Sequence, residues 1–416
     1  MKQVIIAGKW DDLDTVNDAR TSIGGYHGWT PIVAQFMKIY PVATAGTLRN
    51  FRVRLTNSAG APKIPDTGAT ITFTVRKDAV DTSLSVTITG PNYEAQDLVN
   101  EIAFSGGGLV DIACTNSGQG FALYALWSFE FEADAANTSI YFCSGGPWYK
   151  NQPAGYATLS PDCSNPQTLS EAEAQQVIAA PGKIKNLYLG LSKAPGVGAD
   201  AYRLTLRVNG VSTALTVTVS GTSTSGSDLV NEVSVVAGDL VCWYEEPLNV
   251  PADSVNARIG FAFEADDAES LFINGYTSAL NTGAVRYFPL SHNIRSWDAD
   301  EYKARQFVQV MKVEKMRFRV SAAPGAGMSW IFTVRKNGAD TDLVVTISGT
   351  DTTGSDLAHS VTFANDDYVN LSATPSGTPT AAAAYWGAAQ VQAQDIVARK
   401  GSMVLDQLIY QHTERM

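Results

Sequence analysis

The sequence predicts an all-β protein made of three tandem antiparallel β-sandwich, jelly-roll-like domains. Two observations carry that prediction. First, apolar residues alternate with Thr, Ser or Arg over stretches of strand length, as in Leu215-Thr216-Val217-Thr218-Val219. That is the period of a strand with one dry and one wet face. Second, the alternating stretches recur in register. Arg76, Arg207 and Arg335 stand 131 and 128 residues apart, and Asp97, Asp228 and Asp356 keep the same two spacings. Two landmarks at equal offsets mark a repeated unit.

Each repeat has the same grammar. An opening strand (Thr47–Val53, Lys183–Leu189, Glu314–Val320) leads to a loop that carries Pro195-Gly196 or Pro324-Gly325 in the second and third repeats and Pro62 and Pro65 in the first. A strand ending in Arg follows, then a tight turn at Asp78, Asn209-Gly210 or Asn337-Gly338, whose residues suit left-handed backbone. A Thr-rich strand returns, and the Asp-Leu-Val segment of the next strand, Asp-Leu-Ala in the third repeat, comes after it. Closing strands are Trp127–Ala133, Ile259–Ala265 and Gly387–Ala393. Some eight short strands in about 130 residues suit a sandwich large enough to bury its own core. The domain organisation read this way is an N-terminal strand and connector over 1–43, repeats over 44–155, 156–288 and 289–393, and a C-terminal strand or short helix over 394–416.

Between repeats lie connectors, Ser139–Phe142 and Ser270–Gly275, and Gln3–Gly8 resembles them. Three placements are open for that first strand. It packs on its own repeat, it closes the third repeat into a ring, or it adds to a neighbouring subunit and covers an edge there.

Composition bounds the function. Apolar residues make up 45% of the 416, enough for real cores, while charged residues are only 17% and the formal net charge is −11. An acidic chain without a basic cluster is a poor partner for nucleic acid or an anionic membrane. No apolar run reaches the length of a membrane span, and the first residues do not read as a signal peptide. The four cysteines, Cys114, Cys143, Cys163 and Cys242, fit neither a zinc knuckle nor a disulfide framework and read as buried hydrophobes in a chain made in a reducing cytosol.

Signals of chemistry are sparse. The histidines His27, His292, His359 and His412 stand far apart. Glu130 and Glu132 fall on the wet face of one strand, whereas a glycosidase pair must face each other across a cleft. The acidic run Asp11, Asp12, Asp14 and Asp18 lacks the glycine and terminal Glu of a calcium loop. No cofactor motif is present. A non-enzymatic protein is therefore expected. Arg76, Arg207, Arg335, Asp97, Asp228 and Asp356 are expected to be repeat-equivalent structural residues, the arginines pairing with a carboxylate nearby. The aromatics outside the repeat grammar, Trp10, Trp29, Trp148, Tyr149 and Trp297, are candidates for a subunit interface or for stacking on a glycan.

The Pro-Gly loop, the Arg-Lys-Asn-Gly turn, the Thr-Ser-Gly-Ser-Asp turn and the Gly-Asp-Leu-Val strand together resemble β-sandwich units of tailed-bacteriophage structural proteins, of tail-fibre, head-fibre or capsid-accessory type. The resemblance spans about Thr44 to Ala393 and is one of style. It implies a virion component made in the host cytoplasm, self-assembling as a homo-oligomer or with other virion proteins. The alternative is an adhesin whose loop aromatics bind host surface glycan.

Overall fold

The computed structural model describes residues 2–8, 19–24, 30–31, 39–118, 123–143, 147–160, 168–276, 278–291 and 296–392. The chain forms three antiparallel sandwiches in tandem. In the first, the eight main strands are Lys2–Gly8, Ala19–Thr21, Gly46–Thr56, Thr70–Lys77, Val80–Thr89, Glu94–Phe104, Leu109–Ser117 and Tyr124–Ala133. In the second they are Thr138–Cys143, Gly155–Ala157, Gly182–Leu191, Ala201–Val208, Val211–Ser220, Ser225–Val235, Leu240–Leu248 and Val255–Ala265. In the third they are Ser270–Tyr276, Arg286–Phe288, Met311–Val320, Gly325–Lys336, Ala339–Gly349, Thr353–Phe363, Tyr368–Ser376 and Ala384–Gln392. One sheet of every sandwich runs first–eighth–third–sixth, and the facing sheet runs second–seventh–fourth–fifth. That double Greek key is the jelly roll.

Local chemistry explains the strands. The fifth strands share one burial pattern, with Leu84, Val86 and Ile88, then Leu215, Val217 and Val219, then Leu343, Val345 and Ile347 turned inward. The Thr and Ser between them face outward or lie half-buried. Asn209 and Gly210 both have positive φ, as do Asn337 and Gly338, which fits a two-residue turn of the type that matches strand twist. Asp78 and Ala79 adopt the same conformation in the first repeat without a glycine. The third strand of each repeat carries a bulge at Asn50, Asn186 or Lys315, again at positive φ. Ring stacks of Phe51 on Phe129 at 4.3 Å and Phe318 on Phe332 at 4.0 Å fill the cores of repeats one and three.

The hydrogen bonding revises the position of the connectors. Lys2–Gly8, Thr138–Cys143 and Ser270–Tyr276 each pair with the eighth strand of the repeat that follows them in sequence. Sandwich borders therefore fall between 133 and 138 and between 265 and 270, ahead of the expected 156 and 289. Gly155–Ala157 and Arg286–Phe288, at the ends of the stretches expected for the first and second repeats, are the second strands of the second and third sandwiches. No helix among the described residues is long and apolar enough to cross a membrane. The C-terminal segment expected over 394–416 lies outside the described residues.

Candidate functional site

First strands are the edge strands of their sheets, with one row of backbone groups that no neighbouring strand pairs. They are nonetheless almost fully buried, because their two faces belong to two different cores. Ile5 and Ala7 point into the first sandwich, while Val4 and Ile6 pack into the core of the third. Ile140 and Phe142 join the core of the first repeat, and Leu271 and Ile273 that of the second. The three sandwiches thus form a closed ring, in which each first strand leans on the preceding repeat and the first repeat leans on the third. Own-repeat packing and ring closure, set out as alternatives from the sequence, occur together. Fully burying each such aliphatic side chain is worth about 1.5–3 kcal/mol.

At the axis the same backbone position is capped three times. Gln3 donates from Nε2 to the carbonyl of Ile140 and accepts its N–H at Oε1, both at 2.9 Å. Tyr141 Oη does both for Leu271, at 3.0 and 2.7 Å. Gln390 does both for Val4, at 2.9 and 2.8 Å. Val4, Ile140 and Leu271 occupy equal register positions. A different side chain of the preceding repeat therefore satisfies the edge groups of each, which would otherwise be buried without partners. An axial cavity of about 70 Å³ lies between the three strands.

Away from the axis, short strands Tyr40–Pro41, Gln176–Val177 and Gln306–Phe307 reach the next sandwich around the ring. Pro41 lies against Gly260 and Val177 against Gly387, so closely that a Cβ at either glycine would fall on a backbone carbonyl oxygen. The matching residue of the first repeat is Ser128, whose Oγ accepts from Gln309 Nε2 at 3.3 Å.

The repeat-equivalent arginines have like surroundings. Arg76, Arg207 and Arg335 each donate to a carbonyl of their own hairpin turn, at Ala79, Gly210 and Gly338. Arg207 grips both carboxylate oxygens of Glu171 at 2.9 Å, and Arg335 those of Glu301 at 2.9 and 3.2 Å. Those glutamates begin the four-residue helices Glu171–Ala174 and Glu301–Ala304. In the first repeat the carboxylates come from Asp81 and from Asp111, which also meets Arg20. Burial pushes the Asp111 carboxyl up to about 6, against the pull of Arg76 and Arg20.

The aspartates hold a bulge. Asp97 accepts from the N–H groups of Val99, Asn100 and Ser85, and Asp228 from those of Val230, Asn231 and Thr216. Asp356 accepts from Ala358, His359 and Val344. Burial alone would raise these carboxyls, but the donors outweigh it and hold all three below the usual value. The bulges present Leu98 and Val99, Leu229 and Val230, and Leu357 to solvent, with Val99 and Val230 each 90% exposed.

The connector aromatics are corrected. Trp148 and Trp297, 1% and 7% exposed, are core residues beside Tyr202 and between Phe288 and Trp386. Neither offers a ring face to a sugar or a subunit. Tyr149 is exposed. Trp10, Trp29, the acidic run from Asp11 to Asp18, Cys163 and His27, His292 and His412 lie outside the described residues. Cys114, Cys143 and Cys242 are buried. Glu130 and Glu132 share Arg49. Among the described residues no group of three His, Cys, Asp or Glu could hold a metal ion. Sequence reasoning missed the axial Gln3, Tyr141 and Gln390, although the Ser-or-Gly position at Ser128, Gly260 and Gly387 was a readable signal of close contact.

No protein-family model and no curated protein matches this chain.

Proposed function

We propose that this chain is a non-enzymatic structural protein of a virion or comparable surface assembly, acting as a single brick of threefold shape. The closed ring of three jelly rolls carries this reading. A closed symmetric contact leaves no free copy of itself, so growth must occur through another face. With the first strands at the axis, the sixth strands form the far edge of each sheet, and there the apolar bulges recur at Leu98-Val99, Leu229-Val230 and Leu357. Three like apolar knobs on one rim suit a neighbour that offers three like sockets, such as the threefold position of a shell. The partners are other virion proteins or further copies of this chain, with the capsid-accessory position favoured over a fibre.

Immunogold labelling of particles from the producing cells, with sedimentation, tests this. The chain is expected to co-sediment with particles and to decorate their surface. A variant carrying Val99→Glu and Val230→Glu is expected to fold and to stay unattached. A chain found only in the soluble fraction, or a variant that still attaches, would defeat the proposal.

A further inference from the structure

At the junction between the first and second repeats several departures from threefold symmetry converge. Where the third repeat meets the first, Arg54 bonds Glu94 at 2.7 Å and lies over the rings of Phe307 and Tyr368 at 4.3 and 5.0 Å. Where the second meets the third, the equivalent Arg319 donates to the carbonyls of Ala172 and Gln175 at 2.6 and 3.2 Å. Where the first meets the second, register puts Gly190 at that position. The arginine there comes from the neighbouring strand: Arg258 lies over Gly190 and donates to the Ile39 carbonyl at 3.3 Å. A cleft of about 440 Å³ opens between the two repeats.

Its other walls are changed too. Asn209 and Asn337 bond Asp239 and Asp367 at 2.8 and 2.7 Å. The first repeat has Asp78 in place of the asparagine and Gly108 in place of the aspartate. Asp78 uses one oxygen on the Leu109 N–H at 2.8 Å, and its other oxygen has no protein partner among the described residues. Arg52 and Arg317 are replaced by Tyr188, whose ring packs on Gly106 and Gly107.

We infer that this cleft between the first and second repeats binds one neutral, hydroxyl-rich ring, a hexose unit of a saccharide. The volume is that of a small-ligand site. One carboxylate, one guanidinium, the Ser225 and Ser227 hydroxyls and a tyrosine line it. Sugar hydroxyls donate and accept at once, so Asp78 accepts a hydrogen bond from one while Arg258 donates a hydrogen bond to another. Asp78 repels an anionic ligand and Arg258 a cationic one. This is separate from assembly through the rim and stands or falls independently of it.

Saturation-transfer NMR and calorimetry with glucose, galactose and N-acetylglucosamine on the intact chain test the inference. At least one hexose is expected to bind saturably. Gly190→Arg, which restores the arginine of the other junctions, and Asp78→Asn, which restores the asparagine, are each expected to weaken binding about tenfold or more while thermal melting shows a folded chain. If Gly190→Arg fails to fold, Asp78→Asn decides. Absence of binding to all three sugars, or affinity unchanged in the folded variants, overturns it.

Discussion

Gln3 closes both edge groups of Ile140, 137 residues away, with two hydrogen bonds of 2.9 Å. One amide side chain thereby joins the first strands of two sandwiches. Replacing it with alanine leaves a buried N–H and C=O without partners. Gln3→Ala is expected to lower unfolding stability by about 1–3 kcal/mol. Hydrogen exchange should localise the loss to Ile140, and denaturant titration gives its size. An unchanged exchange rate at Ile140 would mean the axial cap contributes nothing.

Gly387→Ala and Gly260→Ala should each destabilise the chain, because the new methyl meets the Val177 or Pro41 carbonyl and not a yielding side chain. Overpacking of this kind costs about 1–3 kcal/mol. Ser128→Gly, at the matching position, is expected to be milder. Comparing the three melting curves checks the order.

Acid should loosen the bulges. The carboxyls of Asp97, Asp228 and Asp356 sit below their ordinary 3.8 in the folded state. A depressed folded pKa gives stability that is complete above the unfolded value and lost as pH falls through the folded one. The melting temperature should therefore drop below about pH 4. A triple Asp→Asn variant should melt lower at pH 7 and show a shallower acid decline. Parallel melting curves against pH for the two proteins would refute this.

Arg207→Lys keeps the charge but loses the two-pronged grip on Glu171 and the bond to the Gly210 carbonyl. About 1–2 kcal/mol of stability is expected to go with it. Glu171→Gln is expected to reproduce part of the loss, and a double-mutant cycle gives the coupling between them.

The all-β class and the threefold repeat were legible because alternation and register both live in local sequence. Leu215, Val217 and Val219 advertise an inward face wherever the strand sits. The ring was not legible, since Val4-Ile5-Ile6-Ala7 is apolar on both faces and so fits any placement that buries both. Its closure depends on Gln390, which stands 386 residues from Val4. Trp148 and Trp297 misled for a related reason. They lie beyond the repeat grammar but inside the sandwiches, Trp148 in a two-residue strand and Trp297 in no strand, so neither shows a period.

Because all three sandwiches share one polypeptide, their stoichiometry is set at translation. The caps at Ile140, Leu271 and Val4 form at the high effective concentration of tethered partners. Dilution that would separate a trimer of single sandwiches leaves this particle whole. Each sector is also free to change its own residues without changing the other two, a freedom that three identical chains lack and that the Gly190 junction already uses.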